Sequence, residues 1–469
     1  MIDNFIEENR KNIIRNLQEL IQIPSIYSKS TNPKFPFGEN INKALEYTLN
    51  LGKSLGFKTK NIDGYCGYIE FGKGEELIGI IGHLDVVPEG DNWTYPPFSG
   101  TIHNGCIFGR GAIDDKGPVI ASLYAMKYVM DNFNITKRVR LILGLNEERD
   151  WDCIKYYKAH EEIPSIGFSP DADFPCIYAE KSVLTQELKT TISQFKEKNI
   201  IIKSIDCNNN AVNVVPKVCS VILKINTDKI DIKEFISKLK SIIEKYKFEI
   251  DIYKLDDEEV KLTSYGISAH AAHPDLGINS ISRLIIVLDE IFKLYGYTID
   301  LFDFFAKNIN IQYNGENLGI NYEDESGKLT LNVGYFGIED NFIKIKMNLR
   351  VPVHIDITKI NDAFTKNINN YQNIVFNTIN YMPALYIDPN SKLVQLLCNI
   401  FNEETKSNYT PIAIGGATFA RAFSNCISFG ANFPGNKDMC HQTDEFIKID
   451  NLFLACKIYS KAIISMNKD

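Results

Sequence analysis

The stretch LIGIIGHLDVVPEGDNW, residues 77–93, begins as a nearly uninterrupted apolar run and ends on a histidine and an aspartate two positions apart, His83 and Asp85. A short apolar run of this kind reads as a strand buried on both faces, the sort that fills parallel sheets. Cys66 to Phe71 before it and Val139 to Leu145 after it read as further strands, and residues 117–132 between them as a helix. Strands alternating with helices predict an α/β sheet. Upstream, Phe5, Ile6, Ile13, Ile14, Leu17, Leu20 and Ile21 recur at helical spacing, so the chain opens with an amphipathic helix that ends near Pro24; a second helix is expected at about 41–55.

Beyond residue 183 the texture changes. Strand-like segments at Leu184 to Thr190, Val218 to Ile225 and Phe342 to Arg350 alternate with lysine-rich helices near 233–246 and 278–295, which suggests a separate α+β domain. The last part returns to a helix at Lys392 to Glu403, short strands near 426–429 and a helix at 450–466. The expected organisation is a discontinuous first domain, residues 1–183 plus 385–469, with residues 184–384 inserted into it.

A length of 469 residues suits two or three packed units. With 44% hydrophobic and 23% charged residues, disordered and fibrous classes are excluded. Lys and Arg number 51 against 59 Asp and Glu, a net charge of −8, so no positive field exists to hold nucleic acid. No apolar run approaches the ~20 residues that cross a bilayer, and the polar start MIDNFIEENRKN lacks a secretory leader's apolar stretch. The ten cysteines contain no CxxC pair and read as free thiols in a reducing cytoplasm.

Four clusters in the first domain follow apolar runs, and ligands of open α/β sheets bind at the carboxyl ends of strands. His83 and Asp85 leave an extended chain on one face, where the carboxylate can orient the imidazole. GRGAIDDKGP offers Asp114 and Asp115 between glycines just before a helix, as ligands or as an N-cap. LGLNEER places Glu147 and Glu148 after a strand, where one can bind metal and the other act as general base. IGFSPDADFP supplies Asp171 and Asp173, and DMCHQTDEF adds His441; each alone reads as ordinary loop polarity. Two histidines and several carboxylates without a thiolate suit Zn²⁺, Mn²⁺ or Co²⁺. Cys440 beside His441 reads as a small buried residue.

Taken in order, GHLDVVPEGDNW, GRGAIDDKGP, NEE and HQTDEF resemble the motifs of the M20 metallopeptidases over essentially the whole chain. WDCIKYY at 151–157 followed by SPDADFP resembles the PepV-type, carnosinase-like dipeptidase branch in particular. The resemblance implies a zinc-peptidase-like α/β catalytic domain with a mixed, mostly parallel sheet and an inserted α+β lid domain. It implies two divalent ions, zinc first and manganese or cobalt as alternatives. His83 and Asp171 would hold one ion, Glu148 and His441 the other, and Asp114 would bridge them; Glu147 becomes the general base and Asp85 the orienting carboxylate. Three carboxylates and a hydroxide would then balance two divalent cations.

In the inserted region, AVNVVP contains Asn213, GISAHAAHP contains His270 and His273, and MNLRVP contains Arg350. By the same resemblance Asn213 and His270 support the tetrahedral intermediate, and Arg350 grips the substrate carboxylate. GGATFAR, with Gly415, Gly416 and Arg421, resembles the glycine-rich substrate loop, which in the family usually reads GGTYAR. The implied enzyme is a cytoplasmic metallo-dipeptidase, monomeric, acting on short peptides, with no nucleic-acid or membrane partner. An M20 deacylase of N-acyl amino acids, of the acetylornithine or succinyl-diaminopimelate type, is the alternative; the inserted domain of about 200 residues favours the dipeptidase. A noncatalytic metal-binding protein would gain little from Glu147, and no GxSxG supports a serine hydrolase.

Overall fold

Every residue of the strand Leu77–His83 is buried, because parallel neighbours flank it on both sides and helices cover the sheet. The computed structural model describes residues 2–195, 198–207 and 211–468. In it the chain divides into two compact units: Met1–Ala179 with Leu385–Ile412 and Ala417–Asp469, and Glu180–Ala384 with Ala413–Gly416.

The first unit is built on a mixed sheet whose strands run in the order Lys58–Ile62, Cys66–Gly72, Arg138–Gly144, Leu77–His83, Ile166–Ser169, Cys426–Ser428, Ile177–Glu180 and Leu385–Tyr386. Pairing is parallel through the four middle strands and antiparallel where observed toward both edges. This is the α/β class and mixed sheet the sequence predicts. The helix Lys116–Asn132 carries the chain from Leu77–His83 to Arg138–Gly144, and Asp152–His160 carries it across to Ile166–Ser169 on the other side. Leu77–His83 therefore lies where successive connections diverge to opposite sides, a crevice-forming arrangement at the strands' carboxyl ends.

Helix Lys116–Asn132 is buried around most of its circumference, as a helix must be when other helices cover its outer face; it packs on Ile2–Ile21 and Ile449–Met466 as well as on the sheet. Pro118 is tolerated in its first turn, where no intrahelical donor is lost. Gly117 permits the tight entry, since a Cβ there would lie 2.2 Å from the Ala112 carbonyl oxygen.

The second unit holds two four-stranded antiparallel sheets. One runs Thr330–Glu339, Phe342–Val351, Ser182–Thr191, Val375–Met382; the other Ile200–Asp206, Val218–Ile225, Glu259–Tyr265, Ile250–Lys254. Helices Ile232–Tyr246 and Ser280–Leu294 stand where the lysine-rich periodicity places them, and Asp300–Asn308 and Ile357–Ile368 are additional. The free-thiol reading of all ten cysteines needs correction: Cys207 and Cys219 form a disulfide, and the other eight are free. Asp206 pairs with Ser220 across an antiparallel ladder, so the next residues face each other at its end, a register that linear spacing cannot reveal. Among the described residues no helix is long and apolar enough to cross a membrane.

Candidate metal centre

Three neighbouring parallel strands deliver the donor residues to one edge of the sheet. His83 ends its strand opposite Gly144, Glu147 and Glu148 lie in the turn that follows Gly144, and Asp171 follows Ser169. Asp114 and Asp115 immediately precede helix Lys116–Asn132, and His441 lies in the loop before the strand Phe446–Lys448.

These side chains converge on two triads, His83, Asp114 and Asp171, and Asp114, Glu148 and His441; within each, the candidate donor atoms lie within 4.8 Å of one another. Asp114 belongs to both. Its Oδ1 is 2.9 Å from His83 Nε2 and its Oδ2 is 3.0 Å from His441 Nε2. His83 Nε2 is also 3.5 Å from Asp171 Oδ2, and His441 Nε2 is 2.9 Å from Glu148 Oε1. One carboxylate thus turns each oxygen toward a different imidazole, the disposition a ligand shared by two cations requires.

The electrostatics describe a site rich in negative charge. Burial works to lower the His83 pKa, yet the Asp171 charge and hydrogen bonds to Asp114 and Asp171 raise it well above the usual value. His441 is raised likewise against its own burial, by Glu148 and Asp114. Burial and the Asp114 charge push Asp171 up to about 7, and burial with the same neighbour raises Glu148. Glu147 is raised well above the carboxylate range by burial, with Asp171, Glu148 and Asp85 adding to the effect against His83. So many carboxylates in one recess suit a counter-cation.

Asp85 is arranged differently from a simple orienting carboxylate. Its backbone carbonyl lies 2.9 Å from His83 Nδ1, while its carboxylate oxygen is 3.5 Å away. The carboxylate also accepts the N–H groups of Glu147 and Glu148, both at 3.1 Å, and so fixes the turn that bears them. Asp115 accepts the His83 N–H at 3.0 Å from beneath. Phe419 packs edge-on against the His83 ring and against Trp151, whose indole N–H donates to the Glu147 carbonyl. Arg110 and Glu445, inside motifs noted in the sequence but given no role there, are both buried.

A second set of expected residues gathers in the other unit. Val214 and His270 form an antiparallel bridge, and the Ala271 N–H donates to the Asn213 carbonyl, which sets Asn213 beside the histidine loop. Arg350, on the strand Phe342–Val351, donates from Nε to Asn348 and from Nη1 to the Gly415 carbonyl at 2.8 Å. A Cβ on Gly415 would lie 2.9 Å from that of Ala272, so only glycine fits against the histidine loop without a shift. Arg421 is in the first unit, in the short 3₁₀ turn Phe419–Ala422.

The family model of peptidase family M20/M25/M40 matches residues 79–465, a span that contains every donor of both triads. The chain belongs to this family. An M20 relative in Bacillus subtilis (strain 168), named "Putative dipeptidase YtjP", is 35% identical over 470 residues, covering 98% of each chain. A Staphylococcus haemolyticus (strain JCSC1435) relative, "Putative dipeptidase SH1171", is 31% identical over 467 residues, again 98% of each. Among solved structures, the di-peptidase Dug1p of Saccharomyces cerevisiae superposes with a TM-score of 0.60 at 13% identity, over 100% of this chain and 98% of that one. Human carnosine dipeptidase 1 gives 0.59 at 13% identity with the same coverage. At that identity these two show a shared fold. Membership makes the chain a hydrolase of the M20 peptidases, and among the described residues the two triads are the groups that could hold a metal ion.

Proposed function

We propose that this M20 hydrolase is a metallo-dipeptidase that cleaves the single peptide bond of a dipeptide at a two-cation centre. The observation that carries the reading is Asp114, with its two oxygens 2.9 and 3.0 Å from the Nε2 atoms of two different histidines. The donors fit such a group: imidazole and carboxylate without thiolate suit zinc, with manganese and cobalt next. His83 and Asp171 would hold one ion, Glu148 and His441 the other, and Asp114 both. When bound, the two ions supply the Lewis acidity that lowers the pKa of a water and polarises a carbonyl.

The chain's own residues do the rest. Glu147 belongs to neither triad, and its carboxylate makes no hydrogen bond among the described residues, while Asp85 and Trp151 pin its backbone. It takes the proton of the attacking water and returns it to the leaving amine. We assign residues 1–183 and 385–469 to the catalytic domain and 184–384 to a lid. In the lid Asn213 and His270 support the developing oxyanion and Arg350 grips the free carboxylate, while Gly415 and Arg421, from the segment after residue 384, contact the substrate. The dipeptide substrate is supported by the names of relatives at 35% and 31% identity. We take the acting unit to be a monomer, and eight free thiols against one disulfide support a cytoplasmic site.

The test is a zinc-loaded enzyme offered dipeptides beside N-acetyl amino acids. Dipeptides are expected to be cleaved with far higher kcat/KM. Preference for the N-acetyl compounds would replace the dipeptidase by the deacylase.

A further inference from the structure

Beneath the donor residues lies an ion pair that the reaction above does not use. Arg110 is 2% exposed, Glu445 is fully buried, and Nη1 of the one is 2.8 Å from Oε2 of the other. Taking two charges out of water costs several kcal/mol per ion, so such a pair is tolerated only when the surroundings satisfy its remaining donors and acceptors. Here the metal-site loops meet them, with the exception of Arg110 Nε, which is buried and has no hydrogen-bond partner among the described residues.

Glu445 turns its other oxygen, Oε1, to the backbone N–H groups of Ile113 at 3.0 Å and Asp114 at 3.3 Å, gripping the peptide units that carry the shared carboxylate. Its own carbonyl accepts the Gly109 N–H at 2.9 Å. Arg110 spreads its fork over two other loops. Nη1 donates to the Gln442 carbonyl at 3.2 Å, and Nη2 reaches the carbonyls of His441 at 3.4 Å, Pro88 at 3.4 Å and Glu89 at 3.2 Å. The guanidinium also lies over the Trp93 ring, 5.3 Å from its centroid. One pair therefore ties together the loop that follows His83, the turn that bears Asp114 and the loop that bears His441.

The donors do not need this support equally. His83 ends a central strand, and Asp171 follows directly from another. His441 has no strand beneath it: its residue is exposed, its φ is 63°, and its loop meets regular structure again only at Phe446. Left to itself, such a loop would sample many positions, and each would have to be frozen on binding.

We propose that Arg110 and Glu445 are positioning residues that hold Asp114 and His441 at the spacing needed to take up the second cation, the one shared with Glu148. This inference rests on the two-cation reading. Arginine is required rather than lysine, because a single ammonium cannot span Glu445 and the carbonyls of two loops at once.

The test is calorimetric titration of Zn²⁺ into metal-stripped wild type, Glu445→Gln, Arg110→Lys and Arg110→Met, with the melting temperature of each metal-free protein measured alongside. Wild type is expected to bind two ions. In Glu445→Gln and Arg110→Lys one ion is expected to bind as in wild type and the other about 10- to 100-fold more weakly, the range for outer supports of metal ligands. The metal-free melting temperature of Glu445→Gln is expected to fall, because the Arg110 charge loses its buried partner; a uniform loss of stability does not distinguish the two ions, so the difference between them remains the readout. Two ions held with wild-type affinity in both conservative variants, or both sites weakened equally, would overturn the proposal while leaving the two-cation reading intact. Wild type that binds fewer than two ions overturns the two-cation reading itself and this proposal with it. Should Arg110→Met fail to fold, the two conservative variants still decide.

Discussion

Glu147 and Glu148 are consecutive and chemically identical, yet their surroundings divide them: Glu148 is 2.9 Å from His441, and Glu147 stands outside both triads. Replacing Glu147 by Gln keeps shape and removes the proton acceptor. Turnover on a dipeptide is expected to fall roughly 10²- to 10⁴-fold with zinc content unchanged; turnover within a few-fold of wild type would remove Glu147 from its role. At this scale the sequence is unusually readable, because His83, Asp114, Glu147 and His441 each sit in a short motif that keeps polar groups beside apolar runs. Arg110 and Glu445 sit in the same motifs and were not legible. Their contribution lies in backbone hydrogen bonds to loops more than 300 residues apart in sequence, as between Arg110 and Gln442, and residue type alone does not announce such a bond. Asp85 was half legible: its proximity to His83 follows from spacing, its grip on the Glu147 turn only from the fold.

The strand Leu77–His83 and helix Lys116–Asn132 approach closely because Gly82 has no side chain. A Cβ there would lie 2.5 Å from Asp115 Oδ2 and 2.7 Å from a Val119 methyl. Gly82→Ala is expected to cost about 1–3 kcal/mol of unfolding free energy. Because the displaced carboxylate supports the His83 N–H, it should also weaken zinc uptake; denaturant melts and zinc titration together check this. In the second unit, helix Asp300–Asn308 escaped the sequence reading. Its segment DLFDFFAKN buries four apolar residues and an aspartate in nine, which masks helical polarity. Burial tends to raise the pKa of Asp303, but hydrogen bonds from Lys293, Lys307 and Tyr371 outweigh it and hold it at about 2, below the ordinary 3.8. A carboxylate depressed in this way stabilises the fold fully above its unfolded pKa and ceases to do so as pH falls through its folded one. Asp303→Asn should therefore lower stability by about 1–3 kcal/mol at pH 7. The deficit should shrink between about pH 4 and pH 2. A deficit that does not change with pH would mean that the aspartate acts through shape alone. Elements such as Leu77–His83 and Ser280–Leu294 were legible because their apolar pattern spans several turns or pleats, whereas the helix Ile357–Ile368 and the strand Thr330–Glu339 were not read; two-residue strands such as Ala172–Asp173 and Ala431–Asn432 carry no period and exist only through their pairing.

At the scale of the whole molecule, one unit supplies both cation triads, and the other gathers Asn213, His270, Arg350 and Gly415. If the second unit reads the free carboxylate of the substrate through Arg350, Arg350→Ala should lower kcat/KM for a dipeptide far more than for its C-terminal amide, and Arg350→Lys should restore only part of it. Equal losses on acid and amide would deny Arg350 that role. The sequence made the change of texture near residue 184 legible, since buried parallel strands give way there to amphipathic antiparallel ones, but it did not reveal that residues 413–416 pack with the second unit. The account's central claim is that two cations held by these triads are what make the chain a dipeptidase. Its most direct measurement is dipeptide hydrolysis followed while Zn²⁺ is added stepwise to the metal-free protein. The rate is expected to start at background and to level off at two ions per chain; a metal-free protein that already cleaves the dipeptide at the zinc-loaded rate would contradict it.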